Sequence, residues 1–256
     1  MIKKWFIVVL FPIFLIFPSA WGQVSIINDQ KYIGEDGVFH IVGEIQNNSS
    51  IPLNQVVVTA TFFAEDGRIL DIINTDSILE TIPAGKKGPF DLIYFSDKVS
   101  LINQYSLDVK YKPANYKTES LEIVSAQDRR DLVDNFIITG RVVNHDYRTA
   151  NTVVVIATLY DQEGKVVAAG RAFTEPQYLR GGEGAPFLVS VTDKSQSRKA
   201  KDYSLIVESE EYTAVPEFPL GSGITLLFSL SAYIMLSKKP TIVTATLARI
   251  MNLKRF

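Results

Sequence analysis

The chain has 256 residues, with 26 Lys and Arg against 28 Asp and Glu, a net charge of −2 and a hydrophobic share of 46%. The slightly acidic balance argues against a nucleic-acid partner, which would call for a net basic domain or stripe. The absence of cysteine excludes disulfides and thiolate metal or redox centres, so stability must come from packing in cores that a chain of this length can build.

At the start, Met1-Ile2-Lys3-Lys4 precedes an apolar run from Trp5 to Pro18 and the small residues Ala20 and Gly22. A basic start, an apolar centre and small residues predict a signal peptide over residues 1–22, cleaved after Gly22. An uncleaved anchor helix is the alternative. Either one exports the repeats that come after it.

Next comes an internal repeat. Ile41 to Phe90 aligns without a gap on Ile138 to Phe187, pairing Gly43 with Gly140, Asn47 with Asn144, Asn54 with Asn151, and Val56-Val57-Val58 with Val153-Val154-Val155. The match continues through Gly67 with Gly164, Gly85 with Gly182, and Pro89-Phe90 with Pro186-Phe187; one residue of slip later, Tyr105-Ser106-Leu107 meets Tyr203-Ser204-Leu205. Each copy is long enough to be a domain rather than a solenoid repeat.

Within each copy the β-branched and aromatic runs predict strands at Val38–Ile45 and Phe136–Val143, then at Val56–Phe63 and Val153–Tyr160. Glu65-Asp66-Gly67-Arg68 and Gln162-Glu163-Gly164-Lys165 then read as hairpin turns. Shorter strands are expected at Asp91–Phe95 with Phe187–Val191 and at Tyr105–Tyr111 with Tyr203–Glu208. With roughly five to seven strands per copy, the expected fold class is all-β: two tandem antiparallel β-sandwiches, at 30–115 and 128–212. Asn47-Asn48-Ser49-Ser50 and Asn144-His145-Asp146-Tyr147 are turn candidates, and Asn47 and Asn48 each open an N-x-Ser sequon, which makes them candidate glycan acceptors.

The run Gly43-Glu44-Ile45-Gln46-Asn47-Asn48, then Val56 through Gly67, then Ile82-Pro83-Ala84-Gly85 before Pro89-Phe90, resembles the FxLyD family. Gly140 to Asn144, Val153 to Gly164 and Pro186-Phe187 repeat the pattern, with Leu179-Arg180-Gly181-Gly182 in place of Ile82-Pro83-Ala84-Gly85. The resemblance implies small extracellular immunoglobulin-like sandwich modules without catalytic activity.

After the second copy, Val215-Pro216-Glu217-Phe218-Pro219-Leu220-Gly221 reads as an extended linker within 213–222. Residues 218–236 then carry no charge and are closed by Lys238-Lys239. At about 1.5 Å per residue they approach the roughly 30 Å hydrocarbon layer, which predicts a transmembrane helix with residues 237–256 as a basic cytoplasmic tail. A buried soluble helix is the alternative. Pro216, Glu217 and Phe218 followed by an apolar span and a basic pair are similar to the PEF-type carboxy-terminal sorting signals of archaeal surface proteins. That similarity implies an archaeosortase-like processing enzyme as a partner, although the tail here runs on well past the basic pair.

No residue set points to catalysis. His40 and His145 are the only histidines and fall at different places in the repeat, and no G-x-S-x-G elbow occurs. Gly181-Gly182-Glu183-Gly184 ends without the lysine of a phosphate loop. Asp71, Asp76 and Asp91 lack the alternating oxygen ligands of a calcium loop, and Arg198-Lys199-Ala200-Lys201 is an isolated basic patch. The expectation is therefore a non-catalytic protein of the cell surface or envelope, with no cofactor and no metal, held by its C-terminal helix and binding envelope proteins or glycans. A membrane-anchored accessory or sensory subunit of an envelope complex is the alternative.

Overall fold

The computed structural model describes residues 23–214. They form fourteen strands, a short 3₁₀ turn at Asp97–Leu101 and one α-helix, α1 (Lys194–Ser197). The first copy contains β1 (Val24–Ile33), β2 (Phe39–Asn47), β3 (Leu53–Phe63), β4 (Ile69–Asp76), β5 (Thr81–Ile82), β6 (Lys87–Tyr94) and β7 (Gln104–Pro113). The second contains β8 (Thr118–Arg130), β9 (Phe136–Asn144), β10 (Val154–Tyr160), β11 (Val166–Phe173), β12 (Gly184–Val191), β13 (Asp202–Glu208) and β14 (Tyr212–Ala214).

In the first copy a three-stranded sheet, β1-β2-β6, faces a second sheet in which β3 lies between β4 and β7 and also pairs with the short β5. Side chains alternate across the pleat, so Val56, Val58, Ala60 and Phe62 of β3 enter the core with Ile41 and Ile45 of β2 and Phe90 and Leu92 of β6. The second copy repeats these pairings, β8-β9-β12 on one side and β11-β10-β13 on the other. Its last strand changes the outcome, because β14 pairs antiparallel with β13 and parallel with β8, joining both sides into one seven-stranded sheet.

The structure corrects two expectations. The second copy is a mixed sheet containing a parallel pair, not an antiparallel sandwich of two separate sheets. The N-terminal signal helix at 1–22 and the transmembrane helix at 218–236, with Pro216, Glu217 and Phe218 beside it, lie outside the described residues. Among the described residues no helix is long and apolar enough to cross a membrane; α1 has four residues, against the roughly 20 a span requires. Membrane anchorage through a C-terminal helix, the archaeal cell-surface location and the membrane partners expected from it therefore drop out of the functional reading.

The repeated residues have structural explanations. Gly43 stands opposite Phe90, and Gly140 opposite Phe187, in antiparallel register. A β-carbon on Gly43 would come within 2.8 Å of the Phe90 ring, and one on Gly140 within 2.6 Å of the Phe187 ring. Each phenyl ring thus covers a bare backbone, which couples the glycine to the Pro-Phe pair.

Asn47 and Asn144 are both fully buried. Asn47 Nδ2 donates to the carbonyls of Ile51 (2.9 Å) and Ile82 (3.0 Å), while its Oδ1 accepts from the Ser49 amide (3.0 Å). Asn144 makes the same set with Arg148 (2.7 Å), Leu179 (3.0 Å) and the Asp146 amide (3.0 Å). Each asparagine ties its turn to a second loop.

Candidate functional site

The junction between the copies holds the two buried carboxylates of the described residues, Glu44 and Glu208. The outer face of β2 is pressed against the second copy, so Val42 is fully buried and Glu44 only 1% exposed. The Glu44 carboxylate is compensated there. It accepts hydrogen bonds from the Tyr160 hydroxyl (2.5 Å), Asn28 Nδ2 (3.1 Å) and Lys87 Nζ (3.2 Å), as a buried charge requires. Burial, then the bond to Glu44, pushes the Tyr160 phenol above its ordinary range.

A second carboxylate spans the junction in the opposite direction. Glu208 Oε1 accepts from the Glu80 amide (2.7 Å) and Oε2 from the Thr81 amide (3.2 Å). Burial raises the Glu208 carboxyl above its usual value, against those two donors, which favour the charged form. Apolar contact completes the junction. Val155, Ala157 and Leu159 of β10 face their own core, while Ile156 is buried in the first copy's core. That two-sided burial explains why this strand is apolar on both faces, and burying Ile156 contributes about 1.5–3 kcal/mol.

At one end the junction opens into a cleft of about 350 Å³, with Tyr32, Glu35, Asp36, His40 and Asp91 on one side and Ala168, Ala169 and Asp193 on the other. His40 Nδ1 lies 2.9 Å from Asp91 Oδ1, and the Tyr32 ring stacks on the imidazole with centroids 4.8 Å apart and planes 4° from parallel. The bond to Asp91 raises the His40 pKa above 6.5, burial opposes it, and Asp91, Asp36 and Asp193 add to the rise. Asp193 caps α1, accepting from the Gln196 amide and the Ser195 hydroxyl. Burial opposes ionisation of its carboxyl, but these bonds hold it below the usual range. Asp91 of the first copy and, more weakly, Asp193 of the second thus both favour the protonated form of His40.

The other sequence candidates stay apart. His145 bonds Glu122 (2.6 Å) on the surface. Asp71 accepts from the Tyr94 hydroxyl (3.2 Å) and Asp91 faces His40, while Asp76 ends β4. Among the described residues no group of three or more His, Asp or Glu is placed to hold a metal ion. The Asn47 side-chain nitrogen, where a glycan would attach, is buried and donates to carbonyl oxygens. Asn48 is exposed. Sequence reasoning passed over Glu44, Tyr160 and Glu208, whose partners lie far along the chain.

Among the described residues the sheets of the first copy do not join each other. β1, β4, β6 and β7 are all terminal strands of their sheets, and Ile72, Ile93 and Phe95 beside them are 56%, 59% and 89% exposed. In the second copy the ends of the single sheet meet, with Thr174 bridged to Phe187.

No protein-family model matches the sequence, and no curated protein matches it. Among solved structures, the exo-chitosanase CsxA of Amycolatopsis orientalis aligns with a TM-score of 0.28 and 11% identity over 76% of this chain and 26% of its own. Red sea bream transglutaminase aligns with a TM-score of 0.23 and 13% identity over 77% of this chain and 31% of its own. The chain thus spans about a quarter to a third of the length of those structures, and likeness at this level carries no argument about fold or activity.

Proposed function

We propose that this chain is a non-catalytic binding protein, a rigid pair of β-modules that engages a partner protein through the sheet edges of its first copy. The observation that carries this reading is the asymmetry between the copies: among the described residues β14 joins the second into one sheet, whereas the first keeps two separate sheets with β1, β4, β6 and β7 among their edge strands. Unpaired strand edges with neighbouring exposed apolar side chains are where another chain adds hydrogen bonds and buries surface. The buried junction supports the reading by fixing both copies as one body, so that binding does not first have to order the scaffold. Both histidines are engaged by carboxylates, which fits a structural use of those side chains.

The test is photo-crosslinking in the native host, with a reactive amino acid placed singly at Ile72, Ile93 or Asp108 of the first copy and at Glu122 or Leu188 of the second. One discrete protein adduct from the first-copy positions is the expected result. Adducts confined to the second-copy positions, or none from any position, would contradict the proposal.

A further inference from the structure

We infer that the cleft at the end of the junction is a proton-operated clasp: the imidazolium of His40 holds Asp193 of the second copy toward the first, and its neutralisation leaves carboxylates of both copies facing one another, which parts the copies at that end. The clasp needs no partner, and the rest of the junction stays closed while it acts.

A glycine makes the close approach possible. A β-carbon on Gly34, at the turn after β1, would lie 2.6 Å from Asp36 Oδ1, 3.2 Å from Asp193 Oδ2 and 3.5 Å from His40 Nε2. One carboxylate oxygen from each copy and the imidazole therefore converge on a space that a side chain would fill. The other ring nitrogen, Nδ1, is 2.9 Å from Asp91 Oδ1. Away from the cleft, Glu44 stands four residues along β2 from His40, about 13 Å at the rise of a strand. Its bond to Tyr160, together with the buried Ile156, gives the copies a fixed contact about which the cleft end can widen.

The charges around the imidazole are of one sign. Glu35 and Asp36 come from the turn between β1 and β2, Asp91 from β6 and Asp193 from the residue before α1. Tyr32 of β1 stays neutral, because burial pushes its phenol above the ordinary range. β11 and β12 face the cleft with Ala168, Ala169, Ser190 and Val191, and among the described residues no lysine or arginine lines it. Arg198 acts on Glu35 from outside the lining and is paired with Asp134 (2.9 Å). Protonated His40 is thus the cation that four carboxylates surround, and like charges at this range repel one another once it is neutral. Its raised pKa places the change above 6.5: the clasp holds below the folded value and releases as pH rises through it.

The test uses the full chain, which has no native cysteine, with Ile33→Cys in the first copy and Lys199→Cys in the second carrying nitroxide labels. Both positions are exposed and outside the cleft lining. The label separation is read by pulsed electron paramagnetic resonance from about pH 5, where ordinary carboxylates are already ionised, to about pH 8.5. The separation should lengthen by on the order of a few Å, with a midpoint that follows the His40 imidazole titration read by NMR. His40→Gln should show the longer separation throughout that range. Asp36→Asn, on the exposed turn, should show a smaller change, because one repelling charge is gone. The inference is overturned by an unchanged separation in the labelled chain, by a pH-dependent change that survives His40→Gln, or by one undiminished in Asp36→Asn.

Discussion

Asn47 and Asn144 satisfy the same pair of carbonyls and the same turn amide in their respective copies. Truncating either to alanine strands buried acceptors, so Asn47→Ala and Asn144→Ala should each cost about 1–3 kcal/mol in denaturant unfolding. Asn47→Asp should cost at least as much, because it sets a carboxylate without donors against carbonyl oxygens. His40 makes stability depend on pH. Its folded pKa is raised, so its contribution is fully present below 6.5, the ordinary histidine value, and is lost as pH rises through the higher folded value. Melting temperature should therefore fall across that window, and His40→Gln should flatten the fall; a slope that survives the substitution would assign it to another group. The repeated asparagines and glycines were legible in the sequence because turns and close backbone approaches restrict residue type locally. The partners of Glu44 and Glu208 were not, since tertiary packing alone brings them together.

At the scale of elements, the central strands and their glycine hairpins could be read from β-branched runs and turn chemistry. β1 and β8 could not. Each is broken by a register shift, between Ile27 and Gln30 and between Ile123 and Ser125, which destroys the alternation that marks a half-buried strand. β8 also ends in Asp128-Arg129-Arg130, a charged stretch that looks like a loop. β14 is only three residues long, too short for a periodicity, although Tyr212-Thr213 has the composition of a strand. Its effect on the core is large, because Tyr212 is 1% exposed among Leu121 and Val207. Tyr212→Ala should destabilise the protein by about 3–5 kcal/mol, measured by chemical denaturation. A cost near that of a surface substitution would show that β14 does not close the second copy.

For the whole molecule, duplication yields two copies with different tasks. The second closes on itself and contributes β10, Tyr160 and Glu208 to the junction; the first receives those groups and keeps its edges open. Glu208→Ala should leave the Glu80 and Thr81 amides without acceptors and weaken the junction by about 1–3 kcal/mol, seen in calorimetry as a broadened or split transition. The measurement that tests the open edge most directly is residue-resolved hydrogen exchange on the full chain, comparing β1 and β7 with β8 and β13. Fast exchange of the outward-facing amides of β1 and β7 beside slow exchange of the amides that β14 pairs is the expected result. Equal protection of the corresponding strands in both copies would contradict the account.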